Sequence, residues 1–164
     1  MVIFISGSIN SGKTTIAKLL QKKIPNTAHI EVDDLRAFIG WMPLEESIRI
    51  NLDNTILLID SFSRLGINSI VTYPLSKEEF EYMKERIKSR DTIYFFTLNP
   101  DLRTALSKRG RKITEWERTR IRHHYATKIN SPGFGINIDN TRQSPEETVN
   151  EILSYIRAPL PLFP

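Results

Sequence analysis

The chain contains no cysteine, which excludes disulfide bonds and thiolate metal sites. It also has no apolar run close to the roughly 18 residues that a membrane-spanning helix needs. The first strand-like run begins directly after Met1, so we expect no signal or transit peptide. We therefore expect a protein of the cytoplasm.

Neither sign of charge dominates, since 23 Lys and Arg residues face 19 Asp and Glu residues. The excess is concentrated between Arg103 and Lys128, where nine Lys or Arg residues occur with two Glu. Such a stripe is typical of a surface that binds nucleic acid or closes over a polyphosphate. The length of 164 residues and the 40% hydrophobic content predict one globular domain over 1–157, followed by a proline-rich tail over 158–164.

What the chain does contain is a glycine-rich loop at its N-terminus. Residues 7–14 read Gly-Ser-Ile-Asn-Ser-Gly-Lys-Thr, after an apolar run and before a helical apolar stripe. Strand, G-x-x-x-x-G-K-T loop and helix in this order form a cradle whose backbone N–H groups bind phosphates. Lys13 can reach the outer phosphates, and the Thr14 hydroxyl can bind a nucleotide-bound Mg²⁺. The residues expected to hold the nucleotide here are Gly7, Asn10, Ser11, Gly12, Lys13, Thr14 and Thr15.

Strand and helix patterns alternate along the rest of the chain. Apolar strand-like runs lie at 2–6, 28–32, 67–73, 92–98 and 135–138, and a long apolar stripe predicts a helix over 44–65. Three pairs of a hydroxyl residue and a glutamate, three positions apart, predict capped helix starts at Ser76, Thr114 and Ser144. This alternation predicts an α/β protein with a parallel sheet covered by helices on both faces.

Two carboxylates and an arginine follow the second predicted strand. Asp33, Asp34 and Arg36 should face the phosphate loop, because the carboxyl ends of parallel strands border one crevice. A carboxylate there can accept the proton of an attacking hydroxyl or position a Mg²⁺-bound water. Arg36 could neutralise phosphoryl charge or hold an acidic group of the acceptor. The alternative is that one of the two aspartates only caps the next helix; we favour Asp33 as the base, because it is closer to the strand end.

The chain resembles the small P-loop kinases in three features: the phosphate loop, the aspartate after strand two and the basic segment before strand five. This group includes shikimate kinase, gluconate kinase, chloramphenicol phosphotransferase and adenylylsulfate kinase. The string from Val32 to Arg36 also resembles one in polynucleotide 5′-kinases. The resemblance implies a three-layer α/β/α P-loop NTPase fold with a five-stranded parallel sheet in the order 2-3-1-4-5. It also implies that Asp33 is the base and that Arg36 binds near the transferred phosphate.

One departure from these kinases concerns the metal. Strand three ends in Val71-Thr72-Tyr73-Pro74, without the acidic residue that many relatives carry. Mg²⁺ would then rest on Thr14 and, through water, on Asp33 or Asp34.

The resemblance also assigns a substrate-side helical segment at about 34–66 and a mobile lid at about 103–125. Lid arginines stabilise the charge of a transferring phosphoryl group and help to exclude water. We expect Arg109 and Arg111 in this role, with Arg118 and Arg122 as further candidates. The turn after strand five resembles the one that passes adenine in these kinases, which gives Asn140, Thr141 and Arg142 as base-binding residues.

These patterns favour an enzyme that transfers the γ-phosphate of ATP, with Mg²⁺, to a hydroxyl of a small molecule. One alternative is a nucleic-acid 5′-hydroxyl kinase that uses the basic stripe as a strand channel. The other is a non-catalytic, nucleotide-binding regulatory module. The identity of the acceptor and the oligomeric state are not specified by the sequence.

Overall fold

The computed structural model describes residues 1–107 and 112–157. That part of the chain contains five strands, seven α-helices and a short 3-10 helix at Arg36–Ile39. The strands are β1 (Val2–Gly7), β2 (Thr27–Glu31), β3 (Asn68–Thr72), β4 (Ile93–Leu98) and β5 (Ile136–Ile138). The helices are α1 (Lys13–Lys23), α2 (Val32–Leu35), α3 (Leu44–Arg64), α4 (Lys77–Arg86), α5 (Leu102–Ala105), α6 (Glu115–Ala126) and α7 (Pro145–Arg157).

The strands form one parallel sheet in the order β2-β3-β1-β4-β5. Ile3 of the central strand lies opposite Ile70 on one side and Tyr94 on the other. All strands run the same way, so their carboxyl ends meet at one edge of the sheet. The predicted three-layer α/β/α fold and its strand order are therefore confirmed.

The alternation of side chains along β1 builds the two cores. Val2 and Phe4 pack on one face with buried residues of α3 and α4, whereas Ile3 and Ile5 pack on the other with α1 and α7. Neighbouring strand residues point to opposite faces, so a continuous apolar run suits a strand that is covered on both sides. A third, smaller cluster joins α5 and α6 to the phosphate loop through Ile9.

The predicted helix starts are confirmed. Ser76 and Thr114 each form a capping box with the glutamate three residues later, and Ser144 and Glu147 exchange the same two hydrogen bonds. Such caps contribute on the order of 1 kcal/mol each. The long helix predicted over 44–65 is α3.

One boundary differs in a way that matters for the site. The second strand ends at Glu31, and α2 begins at Val32, so Glu31 is the last residue of the strand. Asp33 and Asp34 belong to the first turn of α2.

None of the described helices is long and apolar enough to cross a bilayer. The cytoplasmic location stays a prediction. The predicted tail over 158–164 and the centre of the predicted lid, with Arg109 and Arg111, lie outside the described residues.

Candidate active site

The phosphate loop connects the end of β1 to the start of α1 at the carboxyl edge of the sheet. Gly7 has a φ of 133° and Gly12 a φ of 103°, values that side chains rarely allow. A Cβ on Gly7 would also collide with the carbonyl oxygen of Leu98. The two glycines of the motif are therefore required by the backbone path, apart from any ligand.

Asn10 holds the middle of the loop against α5. Its backbone is left-handed, with a φ of 63°, and its side-chain Nδ2 donates to the carbonyl oxygens of Ala105 at 2.8 Å and Ser107 at 3.0 Å. The loop is thereby tied to the segment that leads into the predicted lid.

Lys13 lies between two cavities. Its ammonium group donates to the carbonyl oxygens of Gly7 at 3.0 Å and Ser8 at 2.9 Å, and its side chain borders both spaces. Asn10 and Thr14 also line both. The predicted phosphate loop thus forms the partition between the two cavities.

The first space, which we call the Asn140 cavity, has a volume of about 480 Å³. Asn140 is buried, and its Nδ2 donates to the carbonyl oxygen of Ser11 at 2.9 Å. This bond fixes the turn after β5 to the phosphate loop. The cavity is lined by Asn10, Gly12, Lys13, Thr14, Thr15, Ile16, Asn140, Gln143, Pro145 and Thr148.

Thr141 and Arg142, which the sequence assigned to the base, do not line this cavity. The Thr141 hydroxyl instead accepts from the backbone N–H of Asp101, and Arg142 is exposed. Gln143 and Thr148 line the cavity, and the Thr148 hydroxyl donates to Oε1 of Gln143 at 2.9 Å. Thr148 lies one turn into α7. It reaches the cavity because of the way that helix packs, and no sequence motif marks this position.

The second space, the Asp33 cavity, has a volume of about 550 Å³ and opens on the other side of Lys13. Asp33 and Arg36 line it, as predicted, whereas Asp34 borders neither cavity. The remaining lining residues come from the phosphate loop and five further stretches of chain: Ile9, Asn10, Lys13, Thr14, Glu31, Leu44, Ile48, Tyr73, Pro74, Ser76, Glu79, Trp116, Glu117, Arg120, His124 and Ile129.

Asp33 is solvent-accessible in the open cleft, but surrounding protein atoms remove part of its hydration. This desolvation raises the pKa of Asp33 above its ordinary value, and the nearby charge of Lys13 opposes the rise. A carboxylate with a raised pKa is a better proton acceptor than an ordinary aspartate. The environment of Asp33 therefore suits a general base.

Glu31 is a site residue that the sequence reasoning missed. Its Oε2 accepts a hydrogen bond of 2.7 Å from the Thr14 hydroxyl, so a carboxylate from β2 reaches the position where β3 has none. Glu31 could have been found from its position as the last residue of the strand, but the predicted strand ended one residue later, at 32.

His29 is the neighbour of Glu31 on the same strand, and its ring lies 4.0 Å from the Glu31 carboxylate and 2.8 Å from the Thr72 hydroxyl. Burial lowers the pKa of His29, which favours the neutral ring.

The donor set around Thr14 fits Mg²⁺. The described residues contain no cluster of three or more His, Asp or Glu side chains that could hold a metal alone. A hydroxyl beside one carboxylate is instead the hard-oxygen set used where substrate phosphates complete the coordination. Thr14 and Glu31 offer such a pair.

Helix α6 borders the Asp33 cavity and contacts the phosphate loop. Arg118 donates to the Leu106 carbonyl and lies 3.8 Å from Glu115, and Arg122 is exposed; neither lines a cavity. Arg120, which the sequence analysis did not single out, lines the Asp33 cavity. Arg118, Arg120 and Arg122 occupy alternate positions, so the sequence alone does not indicate which of them faces the cavity.

His124, on the same helix, lies against the phosphate loop. Its Nδ1 is 3.4 Å from the Ser8 hydroxyl, and its side chain is 2% exposed. Burial, together with the charges of Lys13, Arg120 and His123, lowers the pKa of His124 to about 4. The ring is therefore neutral at ordinary pH, in contact with a loop that presents phosphate-binding N–H groups.

Comparison with known proteins supports the fold. No protein-family model and no curated protein matches the sequence. Among solved structures, an unliganded sugar kinase from Janibacter sp. aligns with a TM-score of 0.74 at 17% identity, covering 94% of this chain and 93% of that one. The fold is that of the small P-loop kinases.

Two further small P-loop kinases align over nearly their whole length. The APS kinase of Mycobacterium tuberculosis, solved in complex with AMPPNP and APS, has a TM-score of 0.71 at 15% identity and covers 96% of this chain and 97% of its own. Shikimate kinase from Aquifex aeolicus has a TM-score of 0.60 at 20% identity, with 95% and 96% covered. The resemblance inferred from the sequence is thus confirmed at the level of the fold.

Proposed function

We propose that the chain is an ATP- and Mg²⁺-dependent kinase that phosphorylates a hydroxyl group of a small molecule. The observation that carries this proposal is the position of Lys13 between two cavities, one ending at Asn140 and the other at Asp33. A nucleotide in the Asn140 cavity would direct its outer phosphate past Lys13 towards the carboxylate.

The residues divide into donor and acceptor roles. In the Asn140 cavity, Gln143, Pro145 and Thr148 would surround the nucleoside, and the backbone N–H groups from Asn10 to Thr15 would bind its phosphates. Thr14 and Glu31 would hold the Mg²⁺, which neutralises phosphate charge when it is bound.

Asp33 would accept the proton of the acceptor hydroxyl as the oxygen forms its bond to the γ-phosphorus. The bond between that phosphorus and the bridging oxygen of the nucleotide breaks, and ADP leaves. Lys13 and Arg36 stabilise the charge that spreads over the transferring group. Arg109 and Arg111 stay predicted lid residues.

The structures with the same fold support a small-molecule acceptor. They include a sugar kinase, a gluconokinase and kinases of shikimate and APS. The Asp33 cavity, at about 550 Å³, is also within the range of sites for small ligands.

The test is an ADP-release assay with Mg-ATP and a panel of hydroxyl-bearing metabolites, antibiotics and 5′-hydroxyl oligonucleotides. We expect stimulation by one class of small molecule and loss of more than about 1,000-fold of that activity in Lys13→Met, because the phosphoryl charge loses its neighbouring cation. Lys22→Met, at an exposed position in the last turn of the same helix, is the matched control.

The other outcomes identify the alternatives. Stimulation by oligonucleotides alone would replace the small-molecule acceptor by a nucleic acid. Nucleotide binding without stimulation by any compound would contradict the kinase and favour a regulatory module.

A further inference from the structure

Trp116 is a large apolar side chain that the fold leaves uncovered. It is 62% exposed, and it belongs to none of the three buried clusters. Within the described residues its ring stacks on no aromatic ring or cation, and its indole N–H has no acceptor. Phe38 and Trp41 are exposed to a similar degree, but neither lines the Asp33 cavity, as Trp116 does. The exposed indole is therefore part of the candidate active site.

The backbone that carries Trp116 is fixed. Trp116 lies in the first turn of α6, where Thr114 and Glu117 form a capping box. About two turns further along the helix, His124 is buried and its ring lies 3.4 Å from the Ser8 hydroxyl of the phosphate loop. The indole is thus held at a defined place relative to that loop. A tryptophan has only two side-chain torsions, so it loses little conformational entropy when it binds a ligand.

A second apolar surface, from α3, lines the same cavity. Leu44 and Ile48 lie four residues apart in that helix, which places them on one face of it. Both are half-buried and line the Asp33 cavity together with Trp116, and Ile48 also packs against the core. Two helices therefore contribute apolar surface to a cavity whose charged groups include Asp33 and Lys13.

A small molecule is the occupant that fits these apolar side chains. The cavity has a volume of about 550 Å³, which is the size of a site for a small ligand. A protein partner seated on Trp116 would obstruct the acceptor at Asp33, because both residues line one cavity. A purely polar acceptor would gain nothing from exposed apolar side chains, whereas a compound with an apolar part removes its own surface and theirs from water.

We infer that the acceptor of this kinase carries an aromatic ring in addition to the hydroxyl that is phosphorylated. The ring packs on Trp116 and on the side chains of Leu44 and Ile48, and the hydroxyl reaches Asp33. Aromatic rings pack favourably on an indole in offset-stacked or edge-to-face arrangements. The inference rests on the proposed function, because it names the substrate class of the same cavity.

The kinetic test uses pairs of hydroxyl compounds that differ only in a methyl or a phenyl group, such as methyl and phenyl glycosides. We expect the phenyl member to have a KM at least about 10-fold below that of its methyl partner, because the ring leaves water. Trp116→Ala should remove this preference with little change in kcat or in the KM of ATP, and Trp116→Phe should keep most of it. Trp41→Ala is the matched control, since Trp41 is 81% exposed and lines neither cavity.

Three results of this assay would overturn the inference. One is that methyl compounds are used with the same KM as their phenyl partners. Another is that Trp116→Ala keeps the preference for phenyl compounds, which would place the ring elsewhere. In both cases the proposed kinase stands. The third is stimulation by 5′-hydroxyl oligonucleotides alone, which would contradict the small-molecule acceptor as well.

A binding test is independent of turnover. The chain has two tryptophans, so Trp41→Phe leaves only Trp116, and Trp116→Phe leaves only Trp41. With Mg²⁺ and a non-hydrolysable ATP analogue at saturation, phenyl compounds should shift the fluorescence emission of Trp116 to shorter wavelength and protect it from quenching by acrylamide, because the indole leaves water. The emission of Trp41 should not respond, and the methyl compounds should have little effect in either variant.

The outcomes of the binding test separate the inference from the proposed function. If calorimetry shows that the analogue binds and no phenyl compound changes the emission of Trp116, the aromatic ring is wrong and the donor half of the proposed function stands. If the analogue alone produces the full shift, the chain itself covers Trp116 and the inference is overturned. If the analogue fails to bind, the proposed function is contradicted together with the inference.

Discussion

The Asn140 cavity and the Asp33 cavity share Lys13 but are built in opposite ways. The first is lined by only two stretches of chain, 10–16 and 140–148, which the Asn140 side chain joins by a hydrogen bond to Ser11. The second is lined by six stretches, and four of these contribute charged side chains. A nucleotide offers the same phosphates in every enzyme, so its site can be made of a fixed motif, whereas an acceptor site is assembled for one compound. The following predictions test whether the two cavities have separate roles.

The largest effect is expected from Asp33 on the acceptor side. Asp33→Asn should lower kcat by about 100- to 10,000-fold, because the hydroxyl loses its proton acceptor, while the dissociation constant of Mg-ATP stays nearly constant. In the wild type, kcat/KM should fall as the pH drops through the raised pKa of Asp33. Steady-state kinetics measure kcat and kcat/KM, and equilibrium nucleotide binding measures the dissociation constant of Mg-ATP.

Asp34→Asn is the matched control, since Asp34 follows Asp33 in the same turn and borders neither cavity. Its effect on kcat should stay near the twofold change typical of a surface substitution. A larger loss in Asp34→Asn than in Asp33→Asn would exchange the two roles.

Glu31 should control the metal requirement. Glu31→Gln keeps an acceptor for the Thr14 hydroxyl but removes the charge, so the Mg²⁺ concentration for half-maximal activity should rise by about 10- to 100-fold. A magnesium titration at saturating ATP measures this shift. Glu85→Gln, at an exposed position beside Arg86, should leave the titration unchanged; an unchanged titration in Glu31→Gln would remove this carboxylate from the metal site.

A smaller effect is expected on the donor side. Asn140→Ala removes the hydrogen bond to Ser11, and the dissociation constant of ATP should rise by about 5- to 10-fold, the equivalent of one lost hydrogen bond. The acceptor KM at saturating ATP should not change. Asn137→Ala, which removes a surface hydrogen bond to Ser131, is the control. An equal rise in the dissociation constant of ATP and in the acceptor KM of Asn140→Ala would show that the cavities are not independent.

The last prediction concerns the stability of the fold rather than catalysis. The folded-state pKa of His124, about 4, is below the ordinary 6.5, so the unfolded chain binds a proton that the folded chain does not. This contribution to stability is present above pH 6.5 and is lost as the pH falls towards 4, by at most about 1.4 kcal/mol per pH unit.

His124→Asn cannot titrate, and its free energy of unfolding, measured with urea between pH 7 and 4, should fall less steeply than that of the wild type. His123→Asn, at the exposed neighbouring position, should follow the wild-type curve. Parallel curves for the wild type and His124→Asn would contradict the lowered pKa.

The sequence predicted those features that depend on local patterns. The strands and capped helices follow from apolar periodicity and from pairs such as Ser76 and Glu79, whose interactions span three residues. The phosphate loop is equally local, and the strand order came from a resemblance to known kinases.

The sequence did not predict features that depend on which side of an element faces the cavity. Arg120 is one of three arginines at alternate positions, and only the packing of α6 against the phosphate loop selects it. Glu31 was missed because a one-residue shift of the strand end moved it out of consideration. Thr148 approaches the Asn140 cavity only because α7 packs on α1.

Asn10 shows that a variable position of the G-x-x-x-x-G-K-T motif can have a strict requirement of its own. Its left-handed backbone suits glycine, asparagine and aspartate, but only asparagine also supplies two amide hydrogens, which Ala105 and Ser107 accept. Aspartate would face two carbonyl oxygens with a negative charge, and glycine would leave both without this donor. We therefore expect asparagine at the fourth position of the motif in distant relatives that share the contact between this loop and α5. This expectation does not depend on the residues that line the Asp33 cavity.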